Sequence, residues 1–117
     1  MVRKLAKDYV PDRGHICWID FSPIKGHEQE GLRPGLVISS KRFNQRMSLA
    51  MVVPITSKKR GYPFEIEFKT GKVGGFLMAY QNRTLDWKER VHEFIDMLPD
   101  NILSEVQSHL HGIIFYD

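Results

Sequence analysis

The sequence predicts a mainly β domain with short helices: a compact, strongly bent antiparallel sheet or small barrel closed by one C-terminal helix. Three observations carry this. Short apolar runs recur along the chain between Gly, Pro and polar clusters, the punctuation of brief strands. One run, Tyr62-Pro-Phe-Glu-Ile-Glu-Phe68, alternates Phe64, Ile66 and Phe68 with Glu65 and Glu67, the period of a half-buried strand. Towards the end, Ile102, Leu103, Val106, Leu110 and Ile113 are spaced by 1, 3, 4 and 3 residues, which lines one face of an amphipathic helix.

The elements follow in order. Gly14 opens His15-Ile-Cys-Trp-Ile-Asp-Phe21, whose apolar and aromatic content suits a first strand. A polar loop follows, and Pro34 is expected to end it before Gly35-Leu-Val-Ile-Ser39. Residues 41–46 carry no clear period and read as a turn or a short helix. Ser48-Leu-Ala-Met-Val-Val53 reads as a third strand, cut off by Pro54. After the alternating strand, Lys69-Thr-Gly-Lys72 is a hairpin connection into Gly75-Phe-Leu-Met-Ala-Tyr80. Residues 90–98 fit a strand or a helix equally well, and the helix of residues 102–113 closes the chain.

A chain of 117 residues has the length of a single domain, taken as residues 1–117 with the first nine loosely held. No apolar stretch approaches the roughly 20 residues that span a bilayer, and no apolar run follows the basic start. The one cysteine, Cys17, has no internal partner for a disulfide, and the five histidines are scattered without metal-ligand spacing. A cytoplasmic protein without metal or cofactor is therefore expected.

Charge is divided unevenly. Residues 1–60 hold 12 Lys/Arg against 5 Asp/Glu, and residues 61–117 hold 5 against 9. The basic half suits an anionic partner, because each neutralised phosphate releases counterions. A solvated set of lysines is the plainer alternative.

The chemistry concentrates in Lys25-Gly-His-Glu-Gln-Glu-Gly-Leu-Arg-Pro34. Gly26 and Gly31 permit close approach of backbone to a ligand, although most loop glycines only turn the chain. Arg33 offers a rigid fork of donors suited to phosphate oxygens. His27 can exchange a proton near neutral pH. Glu28 can act as a base or orient Arg33. A second cluster is Val52-Val-Pro-Ile-Thr-Ser57, which delivers two hydroxyls beside Lys58, Lys59 and Arg60. A third is Tyr80-Gln-Asn-Arg-Thr-Leu-Asp-Trp87, which could stack on a base and read its edges. Core packing accounts for Trp87 equally well.

The run from Gly14 through Asp20-Phe-Ser-Pro23 to Gly26-His-Glu-Gln-Glu-Gly31 and Arg33-Pro34, followed by Val53-Pro-Ile-Thr56 and Gly61-Tyr-Pro-Phe-Glu65, resembles the MazF/PemK family of toxin–antitoxin ribonucleases. The resemblance is strongest over residues 10–65, with echoes in residues 81–87 and the closing helix. It implies an SH3-like barrel with a C-terminal helix and a homodimer. It also implies metal-independent cleavage of single-stranded RNA at short sequences, and inhibition by a cognate antitoxin, expected to be acidic. Glu28, Arg33 and Thr56 match the family's active-site residues, and His27 matches a histidine that only some members carry. Lys25, Lys58, Lys59, Gln81 and Arg83 are the expected RNA contacts. Some members place an acidic residue immediately before the glutamine equivalent to Gln81, and some an arginine two positions earlier. Here those positions hold Tyr80 and Met78, so proton transfer should fall to the loop. The rival expectation is a non-catalytic toxin of the same fold that binds DNA gyrase, or a plain protein-binding barrel.

Overall fold

The computed structural model describes residues 2–23 and 31–115. Seven strands form one antiparallel sheet: β1 (His15–Asp20), β2 (Leu32–Val37), β3 (Ala50–Thr56), β4 (Glu65–Lys69), β5 (Gly74–Met78), β6 (Arg83–Leu85) and β7 (Val91–Met97). Helices α1 (Lys41–Met47), α2 (Trp87–Arg90) and α3 (Asp100–Ile114) complete it, with a 3-10 turn at Ala79–Gln81. The strand order is β4-β5-β3-β2-β1-β7, and β6 pairs with β3. A mainly β fold closed by a C-terminal helix is what the sequence patterns predict.

Strand β3 explains why the chain has two cores. Its alternate residues Val53 and Ile55 join Ile16, Leu36, Ile66, Phe68 and Leu77 on one face. There α3 covers them with Val106, Ile102, Leu103 and Leu110, the stripe read from the sequence. Ala50 and Val52 join Cys17, Ile19, Val37 and Trp87 on the other face, where Leu5, Tyr9 and Val10 of the N-terminal segment pack. That segment also forms a bridge from Lys4 to His92 of β7. A strand buried on both faces is apolar throughout, so β3 shows no period of two.

Pro54, expected to cut off a strand, and Pro34, expected to end the loop before one, both lie inside strands. Pro54 is opposite Gly35 of β2. On its other edge β3 pairs with β6 up to Val52 and with β5 from Ile55. Pro54 therefore falls in the gap between two neighbours, where its missing N–H leaves no ladder position unfilled. Pro34 lies opposite Trp18 of β1 and one residue beyond the last β2–β3 pair, so β2 begins earlier than expected.

Helix α1 resolves the turn-or-helix alternative: the Ser40 hydroxyl caps it by accepting from Phe43 N–H at 3.3 Å. Residues 91–97 form a strand, not a helix. Strand β5 stops at Met78, two residues short of the expectation, because Asn82 bonds the Ala79 carbonyl through its backbone (3.2 Å) and side chain (2.9 Å) and closes the 3-10 turn.

Candidate functional site

The β2–β3 register runs Val37 with Val52, Leu36 with Val53 and Gly35 with Pro54. The ladder ends there, with Arg33 and Thr56 each two residues beyond it. Thr56 faces Phe76 of β5, and Phe76 faces Glu67 of β4. Residues opposite one another share a face of the sheet, so Thr56, Phe76 and Glu67 make one row across three strands. Arg33 and Glu67 are exposed, and Thr56 and Phe76 are half-buried.

Arg33, Pro34, Thr56, Ser57 and Gly74 line a cleft of ≈ 310 Å³. Thr56 is held firmly. Its Oγ1 accepts from Lys58 N–H at 3.2 Å, which leaves the hydroxyl hydrogen able to point at a ligand. Its carbonyl is crossed so closely by β5 that a Cβ on Gly75 would lie 2.4 Å from the oxygen. Gly75 adopts φ 141°, which L-residues avoid. Lys58 and Lys59 follow on the exposed turn.

A second cleft, ≈ 370 Å³, is lined by Phe21, Ser22, Pro23, Arg83 and Arg90. The Arg83 guanidinium lies 5.2 Å from the centre of the Phe21 ring and donates to the Phe21 carbonyl at 3.4 Å. Arg90 Nη1 donates to the carbonyls of Ser22 (2.6 Å) and Asp20 (3.1 Å). Asp20 Oδ1 accepts from Ser22 N–H at 2.9 Å and from its hydroxyl. These contacts fix the end of β1.

The loop singled out in the sequence springs from between these clefts. Phe21 N–H donates to the Gly31 carbonyl at 2.9 Å, and a Cβ on Gly31 would meet Ser22 N at 2.5 Å. Gly31 is therefore required for close approach of the two loop ends. Lys25, His27 and Glu28, with Gly26, Gln29 and Glu30, lie outside the described residues.

Of the remaining expected contacts, Gln81 is exposed at the end of the 3-10 turn and Arg83 is exposed at the start of β6. Trp87 is 6% exposed, and its Nε1–H donates to the Asn44 carbonyl at 2.8 Å. Core packing therefore accounts for Trp87, and it offers no stacking face. Sequence reasoning passed over Phe21, Arg90 and Glu65. The signal for the first two was the Asp-x-Ser spacing of Asp20 and Ser22, an Asx-turn pattern at a strand end. Among the described residues no group of three or more His, Cys, Asp and Glu could hold a metal ion.

Residues 12–114 match the model of a family described as PemK-like, MazF-like toxin of type II toxin-antitoxin system. Endoribonuclease toxin MazF of Escherichia coli (strain K12) is 39% identical over 86 residues, covering 74% of this chain and 78% of its own. Endoribonuclease PemK of Escherichia coli is 32% identical over 108 residues, covering 88% and 81%. Among solved structures, MazF (Form-I) from Deinococcus radiodurans superposes with a TM-score of 0.81 at 41% identity, over 92% of this chain and 98% of that one. A MazE-MazF structure (Form-II) from the same organism gives 0.79 at 36% identity, over 92% and 97%.

Proposed function

The chain belongs to the PemK-like, MazF-like toxins of type II toxin–antitoxin systems and is an endoribonuclease; from that premise we propose that it cuts single-stranded RNA at short sequences by using the RNA's own 2′-hydroxyl. Removal of the 2′-hydroxyl proton lets that oxygen attack the adjacent phosphorus. The P–O5′ bond breaks, leaving a 2′,3′-cyclic phosphate and a 5′-hydroxyl. The enzyme supplies a base, an acid for the leaving oxygen, and positive charge for the crowded phosphorane.

The observation that carries this reading is that Arg33 and Thr56 line one open cleft. Arg33 binds the non-bridging oxygens and Thr56 donates its hydroxyl hydrogen to the same group. Arg33 is assigned to charge stabilisation, with the Thr56 hydroxyl assisting. Burial first, and the Glu65 charge second, push the Tyr80 phenol above its ordinary pKa. Tyr80 also lacks the carboxylate of the acidic residue some family members carry before the glutamine. Base and acid fall to Glu28 and His27.

Lys58, Lys59 and Lys25 draw in the RNA, and Gln81 and Arg83 contact it alongside the scissile group. An acidic, flexible antitoxin binds this basic face and excludes RNA, in keeping with the MazE-MazF structures of Deinococcus radiodurans. The toxin acts as a homodimer in the cytoplasm, where messenger RNA is available. No described helix is long and apolar enough to cross a membrane.

The test is incubation of purified protein with a long RNA in EDTA. Discrete fragments that disappear in Arg33→Ala support the reading. Intact RNA beside an inhibited gyrase overturns it.

A further inference from the structure

Three buried side-chain polar atoms among the described residues have no hydrogen-bond partner: Glu65 Oε2, Tyr80 OH and His109 Nδ1. Burying a polar group without a partner is costly, so each such group calls for an explanation. Two of the three belong to one place. Glu65 lies opposite Met78 at the end of β5, and Tyr80 follows two residues later in the 3-10 turn. The Glu65 charge is felt at the Tyr80 phenol, and so is that of Arg60. Tyr62 stands T-shaped on the Tyr80 ring, with centroids 5.8 Å apart, and is 56% exposed. The cover over the pair thus includes a solvent-facing aromatic side chain, of the kind that changes rotamer in picoseconds to nanoseconds.

Glu65 is also committed in a particular way. Its Oε1 accepts from the backbone N–H groups of Arg60 and Gly61, each at 3.2 Å. That bond closes the basic turn that Thr56 opens. It leaves Oε2 as a single acceptor, beside a phenol that can donate. Strand β4 is separated from β3 by β5, two ladder spacings or about 10 Å. The pair therefore sits beyond the scissile phosphate but within reach of a neighbouring nucleotide.

Resting on the ribonuclease reading, we propose that Glu65 and Tyr80, with Tyr62 as stacking face, form a subsite that reads one unpaired nucleobase of the RNA. The base stacks on Tyr62 and presents its Watson–Crick edge to the two orphaned atoms. A carboxylate facing the projecting exocyclic position accepts from an amino group and repels a carbonyl oxygen. The ring nitrogen beside that amino group accepts from the Tyr80 hydroxyl. Adenine and cytosine have this order of donor and acceptor; guanine and uracil have the reverse. Bidentate reading of guanine's two adjacent donors would need both carboxylate oxygens, and Oε1 is already occupied.

The test is sequencing of fragment ends from a randomised RNA pool cut by wild type, Glu65→Gln and Tyr80→Phe. Wild type should prefer adenine or cytosine about 10-fold at one position of its site, the scale of one good base-edge pair. Glu65→Gln keeps an oxygen for the Arg60 and Gly61 amides but turns the second atom into a donor. It should shift that position to guanine or uracil. Tyr80→Phe should relax the same position without lowering the unfolding midpoint, because the lost hydroxyl has no partner in the unbound protein. The same site sequence in all three proteins, or a destabilised Tyr80→Phe, overturns the subsite while leaving the ribonuclease standing. A wild-type protein that cuts no RNA overturns the ribonuclease reading and the subsite with it.

Discussion

Arg33 and Thr56 each lie two residues beyond the last β2–β3 pair and line one cleft, so an exposed guanidinium and a strand-end hydroxyl share it. Each is placed by backbone that has little freedom. Pro34 restricts the residue before it, and β5 crosses the Thr56 carbonyl at Gly75. On the proposed reading the pair is set before substrate arrives, as fixed donors that lower a barrier must be.

Removal of the fork should be felt in rate and not in stability. Arg33 is exposed, so Arg33→Ala should leave the unfolding midpoint unchanged. Its cleavage rate should fall on the order of 10²–10³, by analogy with loss of an oxyanion donor. Arg33→Lys should recover only part of that, since one ammonium cannot span two oxygens. Initial rates on one short RNA, with thermal melts of the same samples, check both statements.

Gly75 carries the opposite prediction. A Cβ there meets the Thr56 carbonyl oxygen at 2.4 Å, at φ 141°. Gly75→Ala should destabilise the fold by about 2 kcal/mol, the middle of the range for a strained backbone position. Urea unfolding measures the loss. Cleavage should fall as well under conditions where the variant is folded, because the Thr56 segment must shift.

On the proposed reading, Lys58 and Lys59 act through charge. Neutralising both as Gln should flatten the dependence of log affinity on log salt by about 1.4, at roughly 0.7 per phosphate contact with a single strand. Binding of an RNA with a 2′-deoxy sugar at the cut site, titrated over a salt series, reads this without cleavage. An unchanged slope would remove the two lysines from the RNA path.

What the sequence revealed follows from how each element is buried. Strand β4 has one wet face, so Glu65 and Glu67 alternate visibly with Ile66 and Phe68. Strand β3 is buried on both faces and lost its pattern, and Pro54 looked like an end because the break between its two neighbours is a tertiary fact. Strand β7 was ambiguous because its pairing with β1 shifts register twice, between Ile16 and Cys17 and between Cys17 and Ile19. At the site, Arg33 and Thr56 were legible as chemistry, but their sharing of one cleft depends on pairing between strands far apart in sequence. Glu65 was hidden for another reason. Its role as a turn anchor with one spare oxygen looks, in sequence, like the wet side of a strand.

The second core holds a pH-sensitive contact. Nδ1 of His15 accepts from Asp12 N–H at 3.2 Å and is hydrogen-bonded to the Tyr9 hydroxyl. The Cys17 thiol, pushed up to about 11 by burial, lies 3.6 Å from the same hydroxyl. Burial holds His15 below its usual pKa, against the Asp12 charge and with help from Lys41. The unfolded chain takes up a proton near pH 6.5 while the folded one resists it. Stability is therefore present above that pH and lost as pH falls through it. His15→Asn keeps an acceptor without the titration, so it should flatten the fall in unfolding midpoint between about pH 7.5 and 5.5.

The central claim is that RNA supplies its own nucleophile to a site built on Arg33 and Thr56. The most direct measurement compares two short RNAs in EDTA that differ only by a 2′-deoxy sugar at the cleaved position. The all-ribose strand should be cut to a 2′,3′-cyclic phosphate and a 5′-hydroxyl, and the substituted strand should bind and remain whole. Cleavage of the substituted strand at an undiminished rate would contradict the account.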